Sequence, residues 1–143
     1  MPANTKPIYS IRGALANNAA TGMNALITAA AADYTGAGAN NSLVFTAGAN
    51  GSFVQRLRFK PGGTNVTAVM RIYINNGAVP TSATNNVFYG EISLPATIVR
   101  TNEATVDLDY QMNLALPAGW RIYVGLGAAV AAGWVVTAVA GDY

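Results

Sequence analysis

Hydrophobic side chains recur along this chain at alternate positions, in short runs broken by Gly, Asn and Pro. A period of two, rather than 3.6, predicts strands that turn every second residue toward a core. Such strands are predicted at 24–34, 42–47, 52–60, 65–74, 86–94, 104–116, 119–126 and 133–140. The Ala-rich stretch 29–32 favours helix by propensity. However, β-branched Ile27 and Thr28 precede it and Gly36 and Gly38 follow, so strand is expected there too.

The phases of individual strands fix which residues meet the core. In 52–60, Phe53, Leu57 and Phe59 form the apolar set, Gln55 breaks it, and Arg56, Arg58 and Lys60 take the opposite face. In 65–74, Val66, Ala68, Met70, Ile72 and Ile74 point inward, and Thr67, Arg71 and Tyr73 outward. Pro61-Gly62-Gly63-Thr64 between them suggests a hairpin with Lys60 opposite Asn65, Phe59 opposite Val66, Leu57 opposite Ala68 and Phe53 opposite Ile72. Phe88, Ile92 and Leu94 are expected inward, with Tyr89, Glu91 and Ser93 outward. The cleanest alternation sets Val106, Leu108, Tyr110, Met112, Leu114 and Leu116 against Thr105, Asp107, Asp109, Gln111 and Asn113. After the turn at Pro117-Ala118-Gly119, Trp120, Ile122, Val124 and Leu126 face in. The last strand is apolar on both sides, Trp134, Val136 and Ala138 on one and Val135 and Val139 on the other, which implies cover on both sides.

Together these features predict an all-β fold, an eight-stranded antiparallel β-sandwich of jelly-roll type with an extended N-terminal arm. Residues 1–22 form the arm and 23–143 the sandwich domain. An immunoglobulin-like sandwich is the nearest competitor. It has fewer strands and a Cys, Trp, Cys spacing that this chain lacks.

Composition changes the picture at one point. Only 10% of the 143 residues are charged, against roughly 25% in an average domain. A surface short of charge belongs to a membrane, to an exterior rich in neutral Asn and Thr, or to a subunit covered by others. No stretch reaches the roughly 18 apolar residues of a spanning helix. The N-terminus Met1-Pro2-Ala3-Asn4 lacks the pattern of a secretory signal, so assembly in a cytoplasm is expected. A net charge of +2 is too small for a nucleic-acid footprint. Covered surfaces therefore become the leading expectation. Candidate subunit contacts are Ile8, Tyr9 and Ile11 in the arm and Val135 and Val139 in the last strand.

Without His or Cys, the chain has no imidazole base, no Ser-His or Cys-His nucleophile and no ordinary zinc site. Asp107 and Asp109 share a strand face near Glu103. They read as a solvated face first, and as a carboxylate pair for glycoside hydrolysis or a calcium site only by extension. Arg56, Arg58, Lys60 and Arg71 fall on one predicted outer face. Such a patch is a solvated sheet surface, a dock for an acidic protein partner, or a phosphate contact. Tyr73, Tyr89 and Tyr123 are expected outward, where aromatics cover a sheet, fill an interface or stack a sugar. Asn40, Asn50 and Asn65 each begin a glycosylation triplet, read as a chance match without an export signal.

The runs Leu43-Val44-Phe45-Thr46-Ala47-Gly48-Ala49-Asn50-Gly51, Arg56-Leu57-Arg58-Phe59 and Arg71-Ile72-Tyr73-Ile74-Asn75-Asn76-Gly77 resemble small structural proteins of tailed-bacteriophage particles. The ending Leu116-Pro117-Ala118-Gly119-Trp120-Arg121-Ile122-Tyr123-Val124, with Gly133-Trp134 and Gly141-Asp142-Tyr143, extends the resemblance over most of the chain from about Asn24. The comparison is with jelly-roll decoration or cement proteins on the outside of the head shell. It implies a virion location, no enzyme, no cofactor, the major capsid protein as partner, and self-association as a trimer or dimer. Two rivals stand beside it: a tail or spike module that recognises a host glycan with aromatic and Asn or Asp side chains gathered in one pocket, and a sugar-cleaving enzyme using Asp107 and Asp109.

Overall fold

The computed structural model describes the backbone of residues 12–16 and, in full, residues 26–31 and 33–143. The strands are β1 (Arg12–Ala16), β2 (Ser42–Thr46), β3 (Ser52–Pro61), β4 (Ala68–Asn75), β5 (Asn86–Leu94), β6 (Leu108–Leu116), β7 (Arg121–Leu126) and β8 (Trp134–Asp142). All pairings between them are antiparallel. One sheet has the order β2-β7-β4-β5; the other has β8-β3-β6, with the short β1 added at the β8 edge. Seven of the predicted strands form. Among the described residues of 24–34 the expected strand does not form, and part of the expected arm instead pairs with β8 of its own chain, Arg12 opposite Asp142 through Ala16 opposite Ala138. The remaining arm positions, including Ile8, Tyr9 and Ile11, lie outside the described residues.

The pairing has a simple logic. β1 pairs with β8, β2 with β7, β3 with β6 and β4 with β5, so the chain is laid out as one long hairpin with its tip between β4 and β5. The pairs β3·β8 and β4·β7 then join the two halves laterally within each sheet. The two sheets share one apolar cluster. Val54, Leu57, Phe59, Met112, Leu116, Trp134, Val136 and Ala138 come from one, and Val44, Met70, Ile72, Leu94, Ile122, Val124 and Leu126 from the other. Burying such side chains contributes roughly 1.5–3 kcal/mol each relative to exposure, which is what drives the sheets together.

The expected β3–β4 hairpin is overturned. β3 lies between β8 and β6, while β4 lies in the other sheet between β7 and β5. Residues 62–67 cross between the sheets and are tied down by Asn65, whose backbone bridges Thr97. The Asn65 side chain accepts from the Ala132 and Gly133 amides at 2.9 and 3.0 Å and donates to the Gly133 carbonyl at 2.9 Å. Alternation fixes which way a side chain faces, but not which strand lies beside it.

Bulges correct two phases. Gln55 breaks the β3 pattern because it is the extra residue of a bulge against β8: Val54 sits opposite Ala140 and Arg56 opposite Val139. Ser52 and Val54 therefore point inward before it, Leu57 and Phe59 after it, and Phe53 is exposed rather than part of the core. A bulge in β5 sets Gly90 opposite Ile72 and Phe88 opposite Tyr73. It turns Tyr89 inward against Tyr110 and Phe88 outward onto Tyr34 and Tyr73, the reverse of the simple alternation.

Residues 26–31 link the sheets instead of forming a strand. Ile27 bridges Trp134 in one sheet and Ala30 bridges Leu126 in the other. Residues 33–41 then cover the outer face of β4 and β7. The Tyr73 hydroxyl donates to the Asp33 carbonyl at 2.5 Å, and Gly36, at φ +75°, lies against the Tyr73 ring where a Cβ would collide with it. Among the described residues no helix is long and apolar enough to cross a membrane.

Candidate functional site

The bulge at Gln55 decides what the outer face of the β8-β3-β6 sheet carries. Beyond it, Arg56, Arg58 and Lys60 all point out, facing Val139, Thr137 and Val135 across β8. On the other side Arg56 faces Gln111 and Arg58 faces Asp109. The expected cationic patch and the expected apolar contacts of the last strand are therefore one surface, with each long basic stem laid beside an aliphatic or Thr neighbour. Val135 and Val139 are half-buried there, while the other face of β8, Trp134, Val136 and Ala138, is fully buried.

Asp107 and Asp109 join this surface instead of forming a separate one. Arg58 pairs with Asp107 and, at 3.6 Å, with Asp109; Arg56 Nε lies 3.7 Å from Asp109. Lys60 Nζ donates to the Thr105 carbonyl at 3.1 Å. Arg58 and Asp107 are 44% and 45% exposed, so solvent screens the pair and it contributes little to folding. Three cations against two carboxylates leave the face weakly positive, and both carboxylates are committed to guanidinium groups. The strands frame a shallow depression of about 400 Å³ lined by Arg56, Arg58, Lys60, Asp107, Thr137 and Val139.

Arg71 does not belong to this patch. It lies on the other sheet and is only 8% exposed. Its guanidinium carbon sits 4.2 Å from the centre of the Tyr34 ring, Nη2 donates to the Tyr34 hydroxyl at 3.2 Å, and Nε is 3.8 Å from Glu91 on β5. Period two correctly turned Arg71 away from the core. The covering segment 33–41 then buried it. Tyr73 and Tyr123 face each other across β4 and β7 and are buried in the same way, so neither offers an open aromatic surface. Asn65 is buried with its side-chain amide engaged, which removes it as a glycan acceptor. Among the described residues no group of three or more His, Cys, Asp or Glu side chains is placed to hold a metal.

One feature escaped sequence reasoning. At the end of the fold where the β4–β5 loop meets the β6–β7 turn, Ile74, Asn76, Thr84, Asn85, Asn86, Val87 and Trp120 line a second depression of about 220 Å³. The available signal was the pair of Asn dipeptides, Asn75-Asn76 and Asn85-Asn86, closing one loop opposite a Trp that follows a Pro-Ala-Gly turn. The chain matches no protein-family profile, and no curated protein or solved structure is significantly similar to it.

Proposed function

We propose that this chain is a non-enzymatic structural subunit of a tailed-bacteriophage virion, a decoration protein that binds the outer head shell as a symmetric oligomer and stabilises it. The observation that carries the reading is the single outer surface on which Arg56, Arg58 and Lys60 alternate across β3 and β8 with Val139, Thr137 and Val135. Interfaces combine an apolar contact that excludes water with charges that steer and register the partner. In a chain with so few charges, their concentration here marks the docking side, with the major capsid protein as its partner.

The finer fold assignment belongs to the same proposal. A long hairpin rolled so that its strands fall in the orders β1-β8-β3-β6 and β2-β7-β4-β5 is the arrangement of a jelly roll, an architecture common in viral capsids. A subunit that binds the assembled shell more tightly than its dissociated parts raises the free energy of rupture. Many symmetric copies multiply a modest contact. The arm positions Ile8, Tyr9 and Ile11 are assigned to contacts between subunits, as a trimer or dimer, while Val135 and Val139, first expected there too, go with the basic residues beside them to the shell-docking face.

The test is binding to head shells stripped of this protein, read by co-sedimentation and by imaging at a resolution that places the subunit. The expected result is stoichiometric binding that weakens with salt and is lost in an Arg58→Glu, Lys60→Glu double variant. Binding indifferent to both, or absence of the chain from every intact particle, would overturn the proposal.

A further inference from the structure

We propose that the depression beside Trp120 is a binding site for one neutral hexopyranose unit of a glycan. The site lies at the end of the fold where the β4–β5 loop meets the β6–β7 turn, away from the charged face of β3 and β8, and does not depend on the virion reading.

The chemistry of the lining selects the ligand class. None of Ile74, Asn76, Thr84, Asn85, Asn86, Val87 and Trp120 ionises near neutral pH, so the cleft provides no counter-charge for a phosphate or a carboxylate. Its lining is mainly apolar, with Ile74, Val87 and the indole of Trp120, and is completed by the amides of Asn76, Asn85 and Asn86 and the hydroxyl of Thr84. A sugar ring has this same division, with C–H faces that pack on an aromatic surface and hydroxyl edges that need paired donors and acceptors. A volume of about 220 Å³ suits a single ring.

The amides are held in place before any ligand arrives. Asn76 Oδ1 accepts from the Ala78 amide at 3.0 Å, and Asn85 Nδ2 donates to the Val79 carbonyl at 3.0 Å. Asn76 Nδ2 and Asn85 Oδ1 meet at only 3.4 Å. Each amide therefore keeps a second hydrogen or lone pair for a hydroxyl, with its orientation already fixed. Asn86 is spent on structure, donating to the Pro80 and Ser82 carbonyls at 2.7 and 3.1 Å and accepting from Asn75 at 2.8 Å. The Thr84 hydroxyl shares one bond with Ser82 and retains further capacity. Trp120 is half-buried against the core, so its indole is held in place. This is a preformed cleft with a few oriented polar groups on an apolar floor.

The test is a titration of the isotope-labelled protein with a panel of methyl hexopyranosides and N-acetylhexosaminides, followed by amide and indole resonances, with cyclohexanol as a ring lacking the hydroxyl pattern. At least one sugar is expected to bind at roughly millimolar affinity, as befits a ligand of a dozen heavy atoms. The shifts should be confined to residues 74–76, 84–87 and 120. Thr84→Trp, which fills the cleft from an exposed position, should weaken binding at least tenfold. Trp120→Phe should weaken it several-fold while the indole resonance of buried Trp134 reports an unchanged core. The proposal is overturned if no sugar in the panel moves these resonances, if the shifts map elsewhere, if cyclohexanol binds as well as the sugars, or if Thr84→Trp binds like the parent.

Discussion

The Tyr73 hydroxyl donates to the backbone carbonyl of Asp33 at 2.5 Å, which pins the segment over the outer face of β4 to the strand beneath it. Burial, reinforced by the nearby Asp33 charge, pushes the Tyr73 phenol from 10.0 up to about 12. The neutral phenol therefore stabilises the folded state fully below about pH 10 and loses that contribution as pH rises toward 12. Tyr73→Phe should cost about 1–2 kcal/mol at neutral pH and flatten the alkaline part of the stability curve. Denaturant melts of both proteins between pH 8 and about 12 would check this.

Asp33 governs the acid side. Burial tends to raise its carboxyl, but the Thr35 hydroxyl and the amides of Gly36, Thr35 and Gly38 hold it below the ordinary 3.8. Its stabilisation is present above that value and is lost as pH falls through the lowered one. Asp33→Asn retains an acceptor for the Thr35 and Gly36 amides, which lie 2.9 and 2.7 Å away. It should keep the loop in place at pH 7 and remove this part of the acid dependence, as read from thermal melts across pH 2 to 5.

Gly90 sits under the Tyr110 hydroxyl, and a Cβ there would overlap it. Gly90→Ala should cost about 1–3 kcal/mol by overpacking. Tyr110→Phe removes the obstructing oxygen, so the double variant should recover most of that loss. Additive penalties in a double-mutant cycle would contradict the contact.

Asn65 ties the crossing segment 62–67 to residues 132–133 through one side chain. Asn65→Ala strands the Ala132 and Gly133 amides in a buried position and should cost about 2–4 kcal/mol, visible as a lower denaturation midpoint. Asn65→Asp can still accept from both amides but opposes the Gly133 carbonyl, so it should fall between Ala and the parent.

Arg58 allows folding and the proposed docking to be tested separately. Both members of its pair with Asp107 are nearly half exposed, so Arg58→Ala should change stability by less than about 1 kcal/mol. Its effect should emerge in association with a partner, as a slower and less salt-sensitive on-rate.

Several features were legible in the letters because they depend only on local periodicity. The inward sets of β6, β7 and β8 and the two-sided last strand follow from alternation, since successive residues of a strand must face opposite ways. Even Gln55, which broke the β3 pattern, marked the bulge that sets the outward run of Arg56, Arg58 and Lys60.

Tertiary structure decided which strands are neighbours and which outward faces reach solvent. Pro61-Gly62-Gly63-Thr64 has the composition of a hairpin turn, yet β3 and β4 part into different sheets. Phase constrains the face of a strand but not its partner, and pairing is settled by burying both inner faces against each other over long sequence separations. Arg71 and Arg58 are both outward residues of outward-facing sheet surfaces. One is buried because residues 33–41 lie across it, and the other is open, a difference made by chain about forty positions away that no local pattern encodes.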